Sequence, residues 1–222
     1  MRILKTLALT AALSTSLAVS VSTSALAEDA SCSTVTFSDV GWTDITATTA
    51  ATTEVLKALG YETDIKVLSV PVTYVSLAKG DVDGTVETDR ENLEGAKYTL
   101  AENKAAADKG IKTFADIAKK KDALDGKIYG IEPGNDGNRL IQDMIDKNAF
   151  DLKGFEVVES SEAGMLAQAT RASKKGDPIV FLGWEPHPMN ANLEMSNLEG
   201  GDAFFGPNHG GATVYTTVTA GY

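Results

Sequence analysis

The residues able to do covalent chemistry are few and badly placed for it. Histidine occurs twice, at His187 and His209, and no His-Glu-x-x-His pair or cysteine cluster exists to hold zinc. There is no Gly-x-Ser-x-Gly nucleophile elbow and no phosphate loop closing on Gly-Lys-Ser or Gly-Lys-Thr. Asp81-Val82-Asp83-Gly84 begins like a calcium loop, yet its third acidic position is missing and the glycine arrives too early, so it reads as a solvated turn. Glu159 and Glu162 flank a helix start, where capping explains them better than acid–base catalysis does. Gly134-Asn135-Asp136-Gly137 opens a helix and could offer backbone N–H groups to an anion, although a Gly-Asn turn in that place is more often plain capping. No nucleophile stands beside a base. The expectation is a binding protein and not an enzyme, with no cofactor and no metal.

The elements that must position any site alternate along the chain. Thr34 to Val40 reads as a strand that runs into a glycine turn at Gly41. A helix is expected from about Asp44 to Leu59, with Ile45, Val55, Leu56 and Leu59 on its apolar face and Gly60 at its stop. Asp64 to Val70 is a second strand and Pro71 to Ala78 a short helix. Strands follow at Lys127 to Glu132, Phe155 to Glu159 and Pro178 to Gly183, with helices from about Asn138 to Lys147 and from Glu162 to Lys174. Thr213 to Thr219 is the last strand. Such alternation predicts an α/β fold with largely parallel sheets, in which ligands bind beyond the carboxyl ends of strands. Those ends carry Gly41-Trp42-Thr43-Asp44, Glu132-Pro133-Gly134-Asn135 and Gly183-Trp184-Glu185-Pro186. Both tryptophans of the chain fall there.

Composition narrows the function further. The 222 residues are 43% hydrophobic and 23% charged, which suits a globular protein. Acidic residues outnumber basic ones by 31 to 20, a net charge of −11. A field of that sign repels phosphate backbones and anionic lipid heads, so no nucleic-acid partner is expected. Residues 1–27 read as a signal peptide: Arg2 and Lys5 form a positive end, Leu7 to Val21 is apolar or small, and Ala25-Leu26-Ala27 fits signal peptidase. The alternative, a membrane anchor, is disfavoured by the short and Ser/Thr-diluted apolar run. Cleavage after Ala27 implies an exported protein, periplasmic in a bacterium. Cys32 is the sole cysteine and sits at the ragged start of the mature chain, so no intrachain disulfide is possible.

Four runs carry a family resemblance: Gly41-Trp42-Thr43-Asp44-Ile45, Gly95-Ala96-Lys97-Tyr98-Thr99-Leu100, Tyr129 to Leu140 (YGIEPGNDGNRL) and Phe181 to Asn190 (FLGWEPHPMN). The sequence resembles the choline and glycine-betaine substrate-binding proteins of bacterial ABC importers, nearest to the choline-binding branch. The resemblance covers nearly the whole mature chain. It implies a two-lobed periplasmic binding protein fold of type II, with the first lobe at 28–92 plus a tail at about 214–222, and the second at 93–213. It implies an aromatic cage of Trp42, Tyr98 and Trp184 around a trimethylammonium group, with Asp44 and Asn135 at the polar end of the ligand. Ring faces suit such a head, which has no N–H to donate and is weakly hydrated. Tryptophans at strand ends also cover cores, and Asp44 could be a helix N-cap, so each of these residues has a structural alternative. An ionised Asp44 accepts from the hydroxyl of choline and repels the carboxylate of glycine betaine, which favours choline.

The chain departs from the family pattern between Val82-Asp83 and Gly84-Thr85, where a segment bearing another cage tryptophan is missing, and after Gly221-Tyr222, where the family chain goes on to complete the first lobe. The first lobe is therefore expected to be incomplete, with an uncovered sheet edge or face. Three readings follow: a choline-binding protein that serves the membrane subunits of an ABC importer, a truncated relic that binds weakly or not at all, and an exported choline-ester hydrolase. The last lacks any Ser-His-acid arrangement.

Overall fold

The computed structural model describes residues 33–83 and 90–216. The expected signal peptide and cleavage site, Cys32 and Gly84 lie outside the described residues.

The amino-terminal unit runs β1 (Thr34–Asp39), α1 (Thr43–Ala58), β2 (Glu62–Val67), α2 (Val70–Lys79). β1 and β2 pair in parallel, Thr34 opposite Glu62 through Asp39 opposite Val67. Asp83 closes the far side of β1: its backbone N–H donates to Thr36 O, and its carboxylate accepts from Thr36 N at 2.7 Å. The Asp81–Asp83 stretch is thus an edge clasp. α1 corrects the expected apolar face, because the side chains turned inward are Thr49 and Thr53, while Val55 and Leu59 are 61% and 69% exposed. Thr53 tolerates burial because its hydroxyl donates to Ala50 O one turn back. The buried apolar side chains of this unit are Val35, Leu77 and Val82, whereas Ile65, Val67, Val72, Tyr74 and Val75 face outward. A two-stranded sheet with so little behind it is marginal on its own.

The remaining described elements are β3 (Arg90–Asn103), α3 (Lys104–Asp108), α4 (Phe114–Ile117), β4 (Lys127–Tyr129), α5 (Asp136–Asp146), β5 (Glu156–Val158), α6 (Glu162–Lys175), β6 (Val180–Glu185), α7 (Met189–Asn192), β7 (Met195–Asn197), α8 (Asp202–Phe205) and β8 (Ala212–Thr216). The sheet order is β5-β4-β6-β3-β7, with β8 also on β3. β4 is parallel to β5 and β6, but β3 is antiparallel to β6, β7 and β8, so the sheet is mixed, not largely parallel. The long β3 escapes a pattern-based reading because its first half is charged and glycine-bearing (RENLEGAK) and lacks a clean apolar alternation.

The hydrophobic core lies among these elements. Leu100, Phe114, Ile128, Ile141, Met144, Met165, Phe181 and Leu182 are all fully buried. α5 starts where Asn135 accepts from Gly137 N and buries Ile141, Met144 and Ile145 at the three- and four-residue spacing of one face. α6 starts on Ser161, which accepts from Gly164 N, buries Met165, Ala169 and Ala172, and stops at Gly176 with φ +73°. Each of the Ile and Met burials contributes about 1.5–3 kcal/mol, and each alanine less.

Candidate functional site

Trp42 stands at the joint between β1 and α1. Gly41 makes the turn with φ +80°, and its N–H donates to Asp39 Oδ1 at 2.7 Å. Thr46 Oγ1 donates to the same carboxylate, so buried Asp39 ties the strand end to the first helical turn. Trp42 itself occupies the N-cap position in extended geometry, and no side chain of its own helix caps α1. Asp44 lies in the first turn, exposed, with no side-chain capping bond. The capping alternative for Asp44 is therefore not what the fold uses.

Across from Trp42, the second lobe supplies a wall. Tyr98 on β3 and Trp184 on β6 are directly opposite in the antiparallel register, so the two rings share one face. Phe205 meets the Tyr98 ring edge-on at 6.3 Å, and the His187 ring lies 4.9 Å from that of Trp184. Tyr98 Oη donates to Asn135 Oδ1 at 2.6 Å. The residue at 137 must be glycine, since a Cβ there would meet Tyr98 Oη at 2.3 Å. Burial pushes the Tyr98 phenol well above its ordinary range, and the charges of Asp136 and Glu132 push the same way, so it stays a hydrogen-bond donor.

These residues form one hydrogen-bonded chain. Asn135 is buried, at 2% exposure; its Oδ1 accepts from Tyr98 and Gly137, and its Nδ2 donates to Glu132 Oε1 at 3.3 Å. Glu132 Oε2 in turn accepts from Trp42 Nε1 at 3.1 Å. Four of the five residues singled out by sequence thus meet: Trp42, Tyr98 and Asn135 through Glu132, and Trp184 beside Tyr98. The structure places Asp44 next to this group along α1 without a bond to it. The helix opened by Asn135 uses its side chain as a plain cap as well as a network member.

Three participants went unrecognised in the sequence. Glu132 had a signal, standing at a strand end three residues before Asn135. Glu162 was read as helix capping, but its carboxylate is 3% exposed and accepts from Thr43 N, Thr43 Oγ1 and the ring of His187. His187 follows the Trp184 motif, and a lone histidine there gave no pattern. Among the described residues, no group of three His, Cys, Asp or Glu is placed to hold a metal. No described helix is long and apolar enough to cross a membrane.

Comparison with known proteins places this geometry. The family described as the substrate binding domain of ABC-type glycine betaine transport systems matches residues 33–88 and 83–222. The chain belongs to that family. The two matched stretches overlap at residues 83–88. A solved ABC-transporter choline binding protein, in complex with choline, is 67% identical, with TM-score 0.84 over 88% of this chain and 74% of that one. The same comparison with an unliganded semi-closed choline binding protein gives 67% identity and TM-score 0.79 over 86% and 74%. A Chromohalobacter salexigens protein described as uncharacterized protein ORF1 is 43% identical over 129 residues, 49% of this chain and 83% of that one. The fold is thus the two-lobed type II periplasmic binding protein fold, and the chain is a substrate-binding protein of an ABC transporter and not an enzyme.

Proposed function

We propose that this chain captures choline, and glycine betaine less well, and hands it to the membrane subunits of an ABC importer. The observation that carries the reading is the 67% identity to a choline binding protein whose solved complex superposes on this fold. Trp42, Tyr98 and Trp184 offer the ring faces of the cage, each contributing roughly 0.5–2 kcal/mol to a desolvated quaternary ammonium. Asn135 and Asp44 take the hydroxyl end. Glu132 adds negative charge beside Trp42 and Asn135, which suits a cation and opposes a second carboxylate. The leader directs export, with cleavage after Ala27 and function in the periplasm. The lobes divide as 28–92 with the 214–222 tail, and 93–213. A second reading, a weak or inert member of the family, is favoured by the outward-facing aliphatics of the first lobe.

Titration calorimetry with choline and glycine betaine on the wild type and on Asp44→Asn tests this. The wild type should prefer choline. Because Asp44 is exposed, its charge acts through a high dielectric, and the substitution should narrow the choline-to-betaine ratio by roughly fivefold. An unchanged ratio removes Asp44 from the site. Absence of heat with either ligand favours the inert reading.

A further inference from the structure

Glu162 is a buried acid in the second lobe whose strongest contacts lie in the first. Its carboxylate accepts from the backbone N–H of Thr43 at 3.1 Å and from the Thr43 hydroxyl. His187 completes the set, with Nε2 3.2 Å from Glu162 Oε1. The histidine's tautomer follows from its other nitrogen: Met189 N–H donates to Nδ1 at 3.1 Å, so Nδ1 is an acceptor and the proton sits on Nε2, aimed at Glu162. Glu162 and His187 are 3% and 2% exposed, so the pair is held away from water. The ring of His187 also packs on Trp184 of the aromatic wall.

We propose that Glu162, oriented by His187, is an inter-lobe latch that caps helix α1 in the closed state and so positions Trp42 against the Tyr98–Trp184 wall. α1 has sixteen residues and no capping side chain of its own, so the Thr43 N–H is one of its orphan donors until the other lobe supplies an acceptor. Glu162 itself begins α6, fourteen residues long, so the carboxylate lies between the positive ends of two helices. Opening the lobes returns Glu162 and Thr43 to water; closing them replaces that hydration with charge-assisted hydrogen bonds. Trp42 is the residue just before Thr43, so the bond that seats the helix end also seats the ring.

The latch rests on the choline reading for its affinity test, and a ligand-free measurement separates the two. With the full chain, choline calorimetry on Glu162→Gln should show roughly tenfold weaker binding than wild type, since bonds to a charged acceptor are lost, with a faster dissociation rate and an unchanged midpoint of the second-lobe melt. Thr43→Val, an exposed position, should weaken binding about threefold and lose its effect in the Glu162→Gln background. If Glu162→Gln fails to fold, Thr43→Val alone decides: weaker binding at unchanged stability supports the latch, and unchanged binding overturns it. Small-angle scattering without ligand should give a larger radius of gyration for Glu162→Ala than for wild type. Equal affinity and equal radius overturn the latch. A wild type that binds no choline overturns the proposed function instead, and the scattering comparison then decides the latch by itself.

Discussion

Tyr98 separates what a ring does from what a hydroxyl does. Tyr98→Phe keeps the aromatic face opposite Trp184 and removes the donor to Asn135 Oδ1. That oxygen still accepts from Gly137 N at 2.8 Å, so no buried acceptor is orphaned and the loss belongs at the low end for a neutral hydrogen bond, about 1 kcal/mol. Choline affinity should therefore fall by roughly fivefold, through a looser Asn135–Glu132–Trp42 chain. Tyr98→Ala removes a ring face worth up to about 2 kcal/mol besides, and should weaken binding by about a hundredfold in total. Calorimetry on the three proteins reads both steps. The buried phenol also predicts a flat pH profile: because its titration is pushed above the ordinary range, wild type and Tyr98→Phe should keep a constant affinity ratio from pH 7 to about 10.5. If Tyr98→Phe is as damaging as Tyr98→Ala, the ring is not a cage wall. A ratio that collapses near pH 10 shows a phenol ionising in the open.

Two further outcomes follow from burial. Glu102 on β3 is 3% exposed with Oε2 unpaired, and burial raises its carboxyl from 4.5 to about 7. The stability that its bound proton supplies is fully present below about pH 4.5 and is lost as pH rises through about 7; Glu102→Gln should thus be more stable than wild type by on the order of 2 kcal/mol at pH 8 and equal to it at pH 4.5, as read by thermal melts. The outward aliphatics Ile65 and Val67 on the two-stranded sheet predict concentration-dependent association in light scattering, which the double substitution Ile65→Lys, Val67→Lys should suppress; a wild type that stays monomeric at high concentration contradicts this.

What could be read from the sequence divides along physical lines. β1, α1, β2, α2, α5 and α6 lie within a few residues of their expected places, because each combines a periodic run with a local stop such as Gly60 or Gly176. The aromatic and amide residues were marked by motif and position at strand ends. The buried face of α1 was misread, because hydrophobicity ranks Val55 and Leu59 above Thr49 and Thr53, and only a complete partner layer would make that ranking decide. β3 was missed because its pairing with β6, β7 and β8 comes from distant chain segments and not from its own alternation. Glu162 was misread for the same reason, since its carboxylate bonds to Thr43, more than a hundred positions away, and Glu132, although marked by its strand end, reaches a Trp42 partner ninety positions away.

The two lobes contribute unequally to stability, and on the proposed reading both contribute to the site. Nearly all buried apolar side chains belong to the second lobe, while the first brings Trp42 and Asp44 on a frame with three buried aliphatics. That frame is held to the second lobe by polar contacts at consecutive residues, Trp42 to Glu132 and Thr43 to Glu162, and by Pro71 packed close to Gly134. On the proposed latch, those contacts also close the cleft. On the proposed reading, ligand capture and consolidation of the first lobe are one equilibrium: a cation between the rings would stabilise the closed state, and the closed state would supply the support that the two-stranded sheet lacks. Choline should accordingly steepen and raise the first-lobe unfolding transition while leaving that of the second lobe in place.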